Sequence, residues 1–421
     1  MKALLLTVGS QGDVQPFLAL ALRLQAGGHE AVLVAPAAFS GLASAYNVPF
    51  VPLELDMSEV GGAVAGRYGL RHMVTFCQAM GRRAAAALPG LEAAAAGGAD
   101  VVVHHPVLPL GQHLAELLGV PAAVAQPMPA LVPTREFGSA AWPCRAPRIL
   151  NQPSYRAAAR LTGAWCRKDI DRWRRDVLVL PPRRGRHDPL AGTDGAPVTA
   201  LHAFSPHVVP RPADWPATAH VTGYWQLPAA PGWTPPRRLA EFLDADGPVV
   251  YVGFGSMPGL DPARLAVSVM TAAGKVGVRA VVASLDPALR RLLPSGRFLV
   301  IRNAPHDWLF PRVQAVVHHG GAGTTGAAIS AGRPQVIWPF GVDQPFWSRR
   351  MTHLGVAPPA LPVRALTGRT LTAVLDRALS DPRTAQRAAA LGSVVRAEDG
   401  TGRAVSCLEE VLADRRLAVG A

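Results

Sequence analysis

The run His318-His319-Gly320-Gly321-Ala322-Gly323-Thr324-Thr325 holds the residue types needed to bind an anion without a metal. An apolar stretch, Ala315 to Val317, stops at a histidine, a turn of small residues follows, and the spacing predicts a helix from near Thr324. A glycine turn that opens a helix presents backbone N–H groups and the positive end of the helix dipole, which together attract an anion. An imidazole at the mouth adds a donor aimed at the same place. A diphosphate suits such a site. Asp343 and Gln344, about twenty residues on, follow a further predicted strand. A carboxylate accepts two hydroxyl protons and an amide both donates and accepts, so this pair suits a polyhydroxyl group attached to the diphosphate. Asp343 also reads as a helix N-cap, and the two roles are compatible.

Elements at regular intervals must carry these residues to one edge. Lys2 to Val8 reads as an apolar strand leading into Gly9-Ser10-Gln11-Gly12-Asp13. Val14 to Ala26 has helical apolar spacing and ends at Gly27-Gly28. Strands are predicted at Glu30 to Ala35, Val51 to Leu55, Val101 to His104, Pro121 to Ala125, Leu201 to Phe204 and His220 to Thr222, with a basic helical stretch over Asn151 to Arg186. Prolines then gather around Trp233 and mark a linker. The second half repeats the style. Its strands are Val249 to Gly253, Ala280 to Ala283, Phe298 to Arg302, Ala315 to Val317 and Gln335 to Trp338, and helical material runs from Leu371 to Leu417. This βαβ alternation predicts an α/β fold of two doubly wound parallel sheets facing a cleft, with ligands beyond the strand carboxyl ends. The expected domains are 1–225, a linker at 226–240, and 241–421, with the last helix able to pack back on the first domain.

With 421 residues and 49% hydrophobic content, the chain has material for two cores and no sign of disorder. The apolar start is too short for a signal peptide, and no run is long enough to cross a bilayer. The four cysteines show no metal spacing. A reduced, cytoplasmic protein is expected. The net charge of +13 is mostly arginine and reads largely as compositional bias. Its cluster between Arg145 and Arg186, interleaved with Trp142, Trp165 and Trp173, suggests a weak association with an anionic membrane surface. No nucleic-acid motif accompanies it. Asp244-Ala245-Asp246 and Asp169-Ile170-Asp171 are D-x-D strings in a turn and on a basic helix, and no metal is expected there.

Three segments resemble the donor-binding signature of the inverting, nucleotide-sugar-dependent glycosyltransferases with the two-domain GT-B fold. They are Asn303-Ala304-Pro305-His306-Asp307-Trp308-Leu309-Phe310-Pro311, the His318 to Thr325 run, and Pro339-Phe340-Gly341-Val342-Asp343-Gln344-Pro345-Phe346-Trp347. The opening Gly9 to Pro16 is similar to the same group, which includes sterol glucosyltransferases and enzymes that glycosylate antibiotics and other natural products. The middle of the first domain, roughly 55 to 200, carries no such motif.

The resemblance implies a nucleotide-sugar donor, a lipophilic hydroxyl-bearing acceptor, no cofactor and no metal. It places the diphosphate against His318 and the backbone of Gly321, Ala322, Gly323 and Thr324, with Gly255 and Ser256 adding an N–H and a hydroxyl. It places the sugar on Asp343 and Gln344, and the base and ribose near Asn303, Pro305 and His306. Plant relatives carry a tryptophan at the position of Asn303 and a glutamate at that of Gly326. Both are absent here, which leaves UDP and dTDP open. Asp13, flanked by Ser10 and Gly12, is the expected catalytic base. It would remove the acceptor proton as the hydroxyl attacks the anomeric carbon opposite the leaving nucleotide. An ordinary aspartate is a weak base, so its surroundings must help. Asp13 also reads as a cap for the helix that follows. His104-His105 after a first-domain strand suits either an acceptor pocket or a structural role.

Other functions fit less well. An inactive, transferase-like auxiliary protein would be expected to lose the diphosphate and sugar contacts. A nicotinamide-dependent dehydrogenase would need a G-x-G-x-x-G loop and an acidic residue where Ala35-Pro36 stands. An epimerase of this fold would need no acceptor. A sterol or membrane lipid competes with a soluble aglycone as acceptor.

Overall fold

The apolar runs that end in glycine or histidine turns are β-strands, and all of them pair in parallel. The computed structural model describes residues 1–55, 87–108, 110–142, 147–181, 183, 188–192, 195–255, 260–361 and 365–420, without the side chains of 161–166 and 418–420. The chain divides into two compact units, split between Leu227 and Pro228, and the residues from Asp399 onward return to the first.

The first unit contains β1 (Lys2–Leu6), α1 (Gln11–Ala26), β2 (Glu30–Pro36), α2 (Ser40–Ala45), β3 (Phe50–Leu53), β4 (Val101–His104), α3 (Leu110–Leu118), β5 (Ala122–Gln126), α4 (Asn151–Asp176), β6 (Thr199–His202) and β7 (Ala219–Val221). Its sheet has the order β3-β2-β1-β4-β5-β6-β7. The order reverses between β1 and β4, where Leu6 lies beside His104. Such a switch point opens a crevice at the strand carboxyl ends.

The second unit contains α5 (Arg237–Asp244), β8 (Val249–Gly253), α6 (Pro262–Val276), β9 (Arg279–Ala283), α7 (Pro287–Leu292), β10 (Phe298–Ile301), α8 (His306–Leu309), β11 (Val316–His318), α9 (Ala322–Ser330), β12 (Gln335–Ile337), α10 (Gln344–Leu354), α11 (Gly368–Ser380) and α12 (Pro382–Arg396). Its sheet order is β10-β9-β8-β11-β12, with the reversal between β8 and β11. Both faces are buried. Val250 and Val252 join Leu265, Val269 and Trp338 on one side. Val249 and Tyr251 join Leu309, Phe310 and Ala328 on the other. The period-two alternation of a strand sorts neighbouring residues into these two cores.

Local chemistry sets the helix starts. Asp261, Asp286 and Asp381 each precede a proline, and each carboxylate accepts the N–H two residues on, at 3.0, 2.8 and 3.0 Å. Proline fixes φ for the first helical position and lacks the N–H that would go unpaired there, while the aspartate caps a second donor. The closing helix α13 (Gly400–Gly420) packs on α1. Arg23 meets Asp399 at 2.6 Å and His29 meets Glu409 at 3.1 Å. In the linker region, Ala229 N–H donates to Asp307 at 2.8 Å, and Trp233 lies edge-on to Trp308 at 5.3 Å. Asp307 and Trp308 of the 303–311 segment thus anchor the second unit's own entry chain.

Several elements differ from the sequence expectation at their bounds. α1 starts at Gln11 rather than Val14, because Ser10 takes the cap position. The basic stretch is helical only to Asp176, and Val179 stands in the left-handed region at φ +53° soon after; residues 182 and 184–187 lie outside the described set. Its tryptophans also do not all line one exposed face. Trp173 is buried, and Trp165 lies among the side chains not described. Arg156, Arg160, Arg167, Lys168, Arg172 and Arg175 are exposed.

Arg174 on α4 is 2% exposed. It forks onto Glu116 of α3 at 2.5 and 2.9 Å and also meets His113 and the Pro181 carbonyl. Burial alone would raise the Glu116 carboxyl. The hydrogen bonds and charges of Arg174 and His113 outweigh it and hold the group down to about 2. A carboxyl lowered in the fold stabilises above its unfolded pKa and loses that contribution as pH falls toward 2. Removing the cation leaves a buried charge unpaired, so R174L should cost about 3–5 kcal/mol in urea-unfolding experiments at pH 7.

Candidate functional site

All strands of the second unit run the same way, so the loops after β8, β10, β11 and β12 share one edge of its sheet. Gly255 follows β8, Asn303 and Pro305 follow β10, His318 ends β11, and Asp343 follows β12. Ser256 lies outside the described residues.

Between β11 and α9 the backbone turns through Gly320, whose φ is +92°. A side chain there would place Cβ 2.6 Å from Ile337 Cγ2. Gly321 is the N-cap of α9 and has no side chain to cap with. The first helical bond runs from Thr325 N to Gly321 O at 3.0 Å. The N–H groups of Ala322, Gly323 and Thr324 therefore precede the helical ladder, at the positive end of its dipole. The strand-turn-helix joint that the glycine spacing predicts is present, with the helix beginning two residues before Thr324.

His318 departs from the expectation that its ring aims a donor at the anion. It is fully buried. Its Nδ1 accepts from Gly320 N–H at 3.0 Å, and its Nε2 lies 2.9 Å from Gln335 Oε1. The first bond makes Nδ1 the acceptor, so the proton sits on Nε2 and is donated to Gln335. Both nitrogens are engaged within the unit, and the ring braces the turn. Burial, with neighbouring His319 and His306 adding to it, lowers His318 to about 3. Burial likewise lowers His319 and His306 to about 4. All three imidazoles are neutral at pH 7. His319 lies toward the β8 loop, its Cε1 3.3 Å from where a Gly255 Cβ would stand. His306 stacks on Phe310 at 4.2 Å, while Asn303 is exposed.

Asp343 occupies the N-cap position of α10, but its carboxylate makes no cap bond. Its Oδ2 accepts from Trp347 Nε1 at 2.9 Å. Gln344 Oε1 accepts from Phe340 N at 2.6 Å and Gly341 N at 3.2 Å, which folds the β12 loop back on itself. Gln344 is 4% exposed, and Asp343 is the more accessible of the pair.

In the first unit, Asp13 stands in the first turn of α1. Its Oδ2 accepts from Ser10 N at 2.7 Å and Ser10 Oγ at 3.0 Å, which closes a capping box. Gly12 fills the turn between them. Ser10, not Asp13, is the N-cap, and Asp13 supports it from within the first turn. Oδ2 is engaged, Oδ1 faces His105 Nε2 at 3.7 Å, and the side chain is 31% exposed. The sequence reading missed Gln335 and Trp347 as holders of His318 and Asp343. A polar residue opening the apolar strand Gln335–Ile337 was the one available signal.

Comparison with known proteins matches residues 3–134 to the glycosyltransferase family 28 N-terminal domain. Residues 257–409 match the erythromycin biosynthesis protein CIII-like C-terminal domain. The chain is 34% identical over 422 residues to O-mycaminosyltylonolide 6-deoxyallosyltransferase of Streptomyces fradiae, covering 97% of each. It is 32% identical over 424 residues to a sterol 3-beta-glucosyltransferase of Arabidopsis thaliana, covering 96% of this chain and 64% of that protein. It spans 30% of a sterol 3-beta-glucosyltransferase of Emericella nidulans. Among solved structures, the calicheamicin glycosyltransferase CalG4 aligns with a TM-score of 0.70 at 19% identity over 98% of both chains.

Gly320 and the three histidines make the loop sensitive in two ways. G320A combines a left-handed φ with a clash and should cost about 1–3 kcal/mol, read by urea unfolding of the purified protein. A histidine lowered in the fold binds its proton more readily once unfolded. Stability is therefore complete above pH 6.5 and falls as pH drops toward 4. Unfolding midpoints measured between pH 7.5 and 4.5 should decline in that direction.

Proposed function

The chain belongs to the glycosyltransferases that include the sterol glucosyltransferases and the antibiotic glycosyltransferases, and from that premise we propose that it transfers a hexose or deoxyhexose from a UDP- or dTDP-sugar to a hydroxyl of a lipophilic natural-product aglycone, with inversion. The observation that carries this reading is the open start of α9, where the N–H groups of Ala322, Gly323 and Thr324 precede the helical ladder and the cap residue has no side chain. Asp13 Oδ1 takes the acceptor's proton while the acceptor oxygen bonds to the anomeric carbon. The bond from that carbon to the diphosphate oxygen breaks on the opposite face. The departing diphosphate is received by the α9 N–H groups and dipole, with no metal in the step. His318 serves it by holding the turn, and Gly255 and Ser256 extend the cradle. Asp343, with Gln344 fixing its loop, takes the sugar hydroxyls. Asn303, Pro305 and His306 flank the base and ribose. The similarity to a 6-deoxyallosyltransferase supports a natural-product acceptor and a deoxysugar.

A membrane-surface lipid or sterol is the second reading. It is favoured by the exposed arginines of α4 together with Ile149, which is 82% exposed just before that helix. No described helix is long and apolar enough to cross a membrane.

D13N keeps the acceptor atom that Ser10 needs and removes the base. Transfer should fall by about 10²–10⁴-fold, measured by mass spectrometry with UDP- and dTDP-sugars against a panel of sterol and polyketide alcohols. Calorimetric binding of UDP or dTDP should persist. Full transfer by D13N would end the assignment of the base. Co-sedimentation with phosphatidylserine vesicles that disappears at high salt would favour the second reading.

A further inference from the structure

We infer that His105 is a positioning residue for Asp13, its Nε2–H directing the free carboxylate oxygen Oδ1 toward the acceptor hydroxyl. The inference rests on the reading of Asp13 as the base. His105 follows β4 directly, and its N–H donates to Leu6 O at 2.8 Å, which extends the β1–β4 ladder by one residue. Asp13 is tied to the same strand end, because Thr7 Oγ1 donates to its carbonyl at 2.9 Å. The two side chains therefore start from one rigid piece of sheet.

The ring orientation is fixed. Val107 N–H donates to His105 Nδ1 at 3.3 Å. Nδ1 is thus the acceptor, and in the neutral ring the proton sits on Nε2. That Nε2 is buried with no hydrogen-bond partner, and it lies 3.7 Å from Asp13 Oδ1. A buried donor without a partner costs free energy, so a group that completes the contact is favoured. The separation is longer than a hydrogen bond. Contacts of this kind tighten when substrate arrives. Phe17, one turn beyond Asp13 on α1, holds the ring from the side at 6.1 Å between centroids, and Trp225 backs Phe17 at 6.2 Å.

The same geometry excludes a proton relay. Burial lowers the His105 pKa, with the Asp13 charge opposing it, and neighbouring His104 is lowered to about 4. A ring that already carries a proton on Nε2 and accepts on Nδ1 has no site for the acceptor's proton. His105 therefore orients the base and leaves the proton on Asp13. Because Ser10 holds Oδ2, a donor at Oδ1 fixes the remaining rotation of the carboxylate.

Two measurements test this. In protein carrying ¹⁵N-histidine, long-range nitrogen–proton correlation at pH 7 should show His105 as the Nε2–H tautomer, with its Nε2 resonance displaced in D13N. An Nδ1–H tautomer, or no response to D13N, overturns the inference. In kinetics with UDP-glucose and cholesterol, and with dTDP-glucose and O-mycaminosyltylonolide, H105L should lower kcat by about 10–100-fold with the donor KM changed by less than about twofold. H105Q, whose amide N–H reaches a similar point, should recover most of the loss. Folded H105L with full kcat, or folded H105Q no better than H105L, overturns it as well. If D13N were fully active, the base reading itself would fail. Silent D13N beside fully active H105L would sink only the role of His105.

Discussion

A helix that begins just after a buried strand leaves its first N–H groups without carbonyl partners, and what the chain does with them organises both units. At α1 the start is tied down by Asp13, whose carboxylate accepts from Ser10 N–H and whose own N–H bonds Ser10 O. At α6, α7 and α12 an aspartate before a proline does the same work. At α9 the cap is Gly321, which brings no side chain. The donors there point outward at the positive end of the helix, and such a site recruits an anion. The start of α9 thus differs from those of α6, α7 and α12 in having a cap residue with no side chain to close it.

Holding that start open requires a brace that adds no competing charge. His318 provides it, bonded to Gly320 on one side and Gln335 on the other. Its neutrality matters, because a charged imidazole buried there would need an anion at all times. In the proposed reaction the diphosphate would be met by oriented dipoles and neutral donors already in place, which need no reorganisation as charge develops on the leaving group. Asp343 and Gln344 are likewise held within the unit, Asp343 by Trp347 and Gln344 by Phe340.

Much of this was legible in the residues. The glycine turn, the Asp343-Gln344 pair and the strand spacing are local features, and the parallel sheets follow from them. The residues that were not legible act across the sequence. Gln335 reaches back to His318 from the neighbouring strand, and His105 meets Asp13 only because β1 and β4 pair. Trp347 was visible in its motif, but its bond to Asp343 depends on a helix turn placing the indole under the carboxylate. Arg174 and Trp173 sat in a run that looked like a solvated basic face. They turned inward because Glu116 and the core of the first unit were there to receive them.

The most direct measurement is a crystal structure of the protein grown with UDP or dTDP. The account predicts diphosphate oxygens within hydrogen-bonding distance of the Ala322, Gly323 and Thr324 N–H groups, with His318 still bonded to Gly320 and Gln335. A diphosphate bound elsewhere, or bound to a His318 ring swung away from Gln335, would contradict it.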